Sequence, residues 1–199
     1  MSRRKLTVVL GLVLAGAALA TAARAASPAP TGVKAEMLMF ISDAESKLNQ
    51  LAEAIPEDKY NWRPAEGVRS PAEVFMHVAG ANYGIPSFWG VKPPEGFDFQ
   101  TYEKSLTSKA DIQKALKDSF VRVKAALAAT SNADLAKPTD LFGMKTTVRG
   151  GWLLVVSHVH EHLGQMIAYA RMNGVVPPWT AAQNAKEAAE LKKKNAASQ

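Results

Sequence analysis

Residues 151–178 read GWLLVVSHVHEHLGQMIAYARMNGVVPP, and this stretch decides the fold. It predicts a helix from near Gly151 to Gly174, where glycine caps the C-terminus and Pro177-Pro178 forbids continuation. Three of the chain's four histidines fall within it, at positions 158, 160 and 162. At 100° per residue, His158 and His162 lie about 40° apart and one turn from each other, whereas His160 points nearly opposite. His158 and His162 can therefore chelate one ion together, and His160 cannot join them.

A third ligand has to come from elsewhere, and His77 is the only other histidine. It falls in a second helix, expected over about residues 71–83, that opens with Ser70-Pro71-Ala72-Glu73. There Ser70 and Glu73 cap each other, and Pro71 sits where its missing N–H costs nothing. Val74, His77, Val78 and Ala81 form its inward stripe, with Pro86 and Gly90 marking its exit. Bundles build metal sites from side chains on facing helices. His77, His158 and His162 are thus the expected ligands of one divalent ion. Imidazole donors suit zinc and nickel, and also copper and iron.

Two further helices complete the pattern. Met37, Ile41, Ala44, Leu48, Leu51 and Ile55 alternate at steps of four and three and end before Pro56. Ile112, Leu116, Phe120, Val123 and Leu127 share a stripe behind a cap at Ser108. With no strand run of comparable strength and no internal repeat, the expectation is an all-α four-helix bundle over residues 33–179. A short polar tail helix should follow at residues 180–199. Residues 87–106 carry Trp89, Phe97, Phe99 and Tyr102 without a period. They read either as a cover over a site or as aromatics packed on the bundle.

At the other end, Arg3, Arg4 and Lys5 precede an apolar stretch from Leu6 to about Ala20 and the small-x-small pattern Ala23-Arg24-Ala25. Residues 1–25 read as a secretory signal peptide, with a linker at 26–32. The expected location is the periplasm or the medium, with no stable membrane insertion after cleavage. Losing Arg3, Arg4, Lys5 and Arg24 from the 24 basic residues leaves 20 against 18 acidic, so the basic pI gives no footprint for nucleic acid. The chain has no cysteine, which excludes disulfides and a thiol nucleophile. A homodimer is the base-rate expectation for a soluble oligomer, though no surface stripe demands one.

Three histidines leave coordination positions open for water or substrate, the layout of a catalytic site. Glu161, about 60° from His158, is the expected catalytic carboxylate. Gln165 and Tyr169 continue the His162 face and are expected to orient the ligands or the substrate. His158 to His162 also spell H-x-x-E-H, the inverted zinc-protease motif. That reading needs a carboxylate ligand well downstream, where only the polar tail with Glu187 and Glu190 remains.

Trp62-Arg63-Pro64, Gly67-Val68-Arg69-Ser70 leading to His77-Val78-Ala79, and His158 to Pro178 with Gly164-Gln165, Arg171 and Gly174 together resemble the DinB-like family of metal-binding four-helix bundles. The match covers most of the mature chain. Val68-Arg69-Ser70 departs from many members, which place a Trp just before this Ser, so the chain resembles a divergent branch. The resemblance implies His77, His158 and His162 as metal ligands. It also implies kinship with thiol-dependent S-transferases and metal-dependent hydrolases. Export separates the chain from the cytosolic thiols, so a hydrolase using metal-bound water on a small molecule ranks above a transferase. A non-enzymatic metal- or ligand-binding envelope protein is the remaining class, since a shared fold hosts many functions.

Overall fold

The computed structural model describes residues 32–197. The expected signal peptide, and the linker apart from its last residue, lie outside the described residues. In chain order the elements are α1 (Val33–Ala54), α2 (Pro71–Ser87), the one-turn α3 (Phe99–Tyr102), α4 (Lys109–Ala129) and the one-turn α5 (Asn132–Leu135). They are followed by β1 (Pro138–Leu141), β2 (Met144–Thr147), α6 (Val148–Met172) and α7 (Pro178–Ala197).

The four long helices α1, α2, α4 and α6 form the bundle. α1 packs on α4 and α6, and α2 packs on the same two, so α1 and α2 face each other across the core. The expected apolar stripes supply it: Met37, Ile41, Ala44, Leu48 and Leu51 from α1, and Ile112, Leu116, Phe120, Val123 and Leu127 from α4, are all buried. α1 and α4 also cap each other. The Lys109 ammonium donates to the Glu53 and Ile55 carbonyls at the end of α1, and that of Lys34 donates to the Ala128 and Thr130 carbonyls at the end of α4. Each cation satisfies carbonyls that lack an intrahelical partner, and the exchange fixes the pair as antiparallel.

Several elements differ from the sequence reading. α2 continues to Ser87, through Pro86. Proline removes only one N–H from the last turn, and the Ser87 hydroxyl donates to the Gly84 carbonyl at 2.6 Å, so the helix outlasts its expected stop. A two-stranded antiparallel hairpin precedes α6, pairing Pro138 with Thr147 and Leu141 with Met144. Phe142 and Gly143 turn it with φ of 54° and 87°. α6 begins at Val148, capped by Thr147, whose hydroxyl accepts from the Gly150 N–H. It ends at Met172, before Gly174, whose φ is 74°. α7 starts at Pro178, two residues before the expected tail helix. Trp179 packs on the core and every residue from Ala181 to Ala197 is exposed. Among the described residues no helix is long and apolar enough to cross a membrane.

Candidate metal centre

The site lies where α2 meets α6. α2 starts at the anticipated capping box: Ser70 Oγ accepts from the Glu73 N–H at 3.3 Å, and the Ser70 N–H donates to Glu73 Oε2 at 2.9 Å. Arg63 clamps the same carboxylate with both terminal nitrogens, at 2.5 and 2.6 Å, and donates to the Val68 carbonyl at 2.7 Å. Glu73 is therefore a capping and anchoring residue, held below its ordinary pKa chiefly by those Arg63 hydrogen bonds. Beside it, Trp62 meets Tyr169 of α6 edge-on, 5.5 Å between ring centres. The Trp62-Arg63-Pro64 segment thus ties the start of α2 to α6.

Along α2 and α6 the three histidines converge. Their ring centres are 5.0 Å apart for His77 and His158, 4.7 Å for His77 and His162, and 4.4 Å for His158 and His162. One ligating nitrogen from each lies within 4.8 Å of the other two. These residues could hold a metal ion. His162 is buried, and His77 and His158 are half-buried. His160, as its angle requires, turns away: its Nδ1–H donates to the Val156 carbonyl at 2.8 Å, and its ring meets Phe40.

Outer partners set the tautomers. His77 Nδ1–H donates to Glu103 Oε2 at 3.0 Å, and His162 Nδ1–H donates to Gln165 Oε1 at 2.8 Å. Each ring therefore carries its proton on Nδ1 and keeps an Nε2 lone pair free, the arrangement that carboxylate and amide partners impose on metal-binding imidazoles. The Gln165 amide in turn donates to the Tyr169 hydroxyl at 2.9 Å. His158 Nδ1 is buried without a partner, and its Nε2 faces His77 Nε2 at 3.1 Å. A tetrahedral ion with bonds of about 2.0–2.1 Å holds its ligand nitrogens about 3.3–3.4 Å apart. The donor set therefore fits such an ion in chemistry, and the His77–His158 pair nearly in spacing.

Electrostatics agree. Burial is the largest influence on His158, with the neighbouring His162, His77 and Arg69 adding to it, and its pKa falls to about 3. Burial also lowers His77, with the Arg69 charge and His162 assisting and Glu103 opposing. Both rings are neutral at physiological pH, the state a metal ligand requires.

The carboxylate hydrogen-bonded to the converging histidines is Glu103. Glu161 is exposed and has no hydrogen bond or ion pair. At 100° per residue it faces 100° from His162, which turns it to solvent on a helix whose His162 face is buried. Glu103 follows α3 directly, and its second oxygen accepts from Arg69 Nε at 2.8 Å. In the 87–106 segment, aromatics pack on the bundle, as one of its two readings expected. Phe99 and Tyr102 seat on Gly84 and Gly80 of α2, where a Cβ would stand 2.6 and 3.3 Å from their rings. That docking delivers Glu103 to His77. A cleft of about 770 Å³ opens beside Arg69, Glu103 and Gln165, and a smaller one of about 350 Å³ is lined by His77, Arg69 and Tyr102.

Known proteins share this fold. The uncharacterised protein YjoA of Bacillus subtilis (strain 168) is 28% identical over 129 residues, 63% of this chain and 81% of YjoA. YfiT of Bacillus subtilis, described as a probable metal-dependent hydrolase with an unusual four-helix bundle topology, superposes with a TM-score of 0.58 at 15% identity, over 71% of this chain and 88% of its own. A mycothiol-dependent maleylpyruvate isomerase superposes with a TM-score of 0.55 at 13% identity, over 68% of this chain and 61% of its own. The sequence model of the DinB superfamily matches residues 41–166, more than half of the chain and all three converging histidines, and the chain belongs to that superfamily.

Proposed function

We propose that this chain is an exported, metal-dependent hydrolase of a small molecule, with one divalent ion held by His77, His158 and His162. The observation that carries the reading is the convergence of three imidazoles, one of which, His77, lines an open cleft. Glu103 and Gln165 fix the free lone pairs of two of them. A divalent ion with only three protein ligands supplies Lewis acidity and activates water at neutral pH. The protein's own part is to orient those ligands and to keep water and substrate in register beside them. Glu103, whose two oxygens accept from His77 Nδ1–H and Arg69 Nε–H, holds those two groups in place, and the exposed Glu161 makes no such contact. The description of YfiT as a probable metal-dependent hydrolase favours the same chemistry, and the leader-like residues 1–25 favour export.

Metal-loaded protein screened against small esters and amides, with and without chelator, tests this. Metal-dependent hydrolysis is the expected result. Turnover that requires a low-molecular-weight thiol, with no hydrolysis, would move the chain to the S-transferase class. Metal binding without any turnover would leave it a binding protein of the envelope.

A further inference from the structure

Arg69 is the most underused group near the histidines. Its Nε donates to Glu103, but neither terminal guanidinium nitrogen makes a hydrogen bond. The side chain is 42% exposed. It lines both clefts that meet at Glu103, and shares the smaller with Met76, His77, Gly80, Phe99 and Tyr102. Arg63, the other arginine there, has both terminal nitrogens occupied by Glu73. Beside the histidines Arg69 therefore offers a free, planar pair of N–H donors, held in orientation by the carboxylate that also orients His77.

We infer that Arg69 recognises a carboxylate on the substrate, whose apolar body lies in the 350 Å³ cleft against Phe99 and Tyr102 while its reacting group faces the three histidines. A guanidinium fork matches the planar carboxylate with two parallel hydrogen bonds. The rings beyond it give the rest of a small ligand an apolar wall. Because Glu103 holds both Arg69 and His77, the anion-binding fork and the metal site have one fixed spacing. The inference deepens the hydrolase reading, since it names the substrate class of that site.

The test is calorimetric titration of the metal-loaded full chain with phenylacetate, its neutral isostere phenylacetamide, and acetate, which lacks the apolar body. Phenylacetate should bind at least about ten-fold tighter than either, the scale of a hydrogen-bonded charge pair. Arg69→Gln should abolish the preference over the amide while leaving metal content intact, and chelator-treated protein should retain that preference. If metal removal abolishes the preference and Arg69→Gln does not, the anion sits on the metal and the inference is overturned. Equal affinity for phenylacetate and phenylacetamide in the parent would also overturn it. Binding needs no turnover, so a protein that shows the Arg69-dependent preference but hydrolyses nothing would sink the hydrolase reading alone.

Discussion

At His77 the two ring nitrogens have different duties, one donating to Glu103 and the other facing His158. Replacing Glu103 by Gln keeps the shape but removes the charge that fixes the Nδ1–H tautomer. Metal affinity should fall by about 10–100-fold, read by competition with a chelator. Glu161→Gln should leave it unchanged, since that carboxylate is in solvent. Glu73 answers to pH. Arg63 holds it below its ordinary value of 4.5, so the unfolded chain takes up its proton first. The stability it contributes is present above about pH 4.5 and lost as pH falls through the lowered folded value. Urea unfolding from about pH 7 to 3 should show a shallower acid limb in Glu73→Gln than in the parent. The three histidines were legible because i, i+4 spacing and an apolar face follow from helix geometry alone. Glu103 was not, because it sits in an aperiodic segment and reaches a partner 26 residues back.

Among the elements, the start of α2 carries the most consequence, since it positions Arg69 and His77 together. Ser70→Ala removes one half of the capping box and should cost about 0.5–2 kcal/mol in denaturant unfolding. Glycines set the other close approaches. A Cβ at Gly151 would stand 2.3 Å from the Trp89 ring, so Gly151→Ala should destabilise by about 1–3 kcal/mol. The helix starts at Ser70 and Ser108 and the end of α1 were readable from caps and prolines. The hairpin was not: its strands are four residues each, and Phe142 occupies a turn position where Asn or Gly is the usual signal. Pro86 misled in the opposite direction, because a proline in a final turn forfeits a single hydrogen bond.

For the whole molecule, the ring of contacts α1–α4–α2–α6 was beyond the sequence, since apolar stripes say that helices pack but not which pairs are neighbours. That order makes α2 and α6 adjacent, so a metal ion would cross-link residues 81 positions apart. Ion binding to the folded state alone adds about 2.7 kcal/mol at a free concentration one hundred times Kd. Chelation should therefore lower the melting temperature of the parent and leave a His77→Ala variant unmoved. The claim at the centre is that these three imidazoles hold one ion. Elemental analysis of the full chain, purified without chelator or affinity metal and compared with the His77/His158/His162 triple alanine variant, tests it most directly. Near one equivalent of metal in the parent and none in the variant is the predicted result; equal metal in both, or none in either after reconstitution, would contradict it.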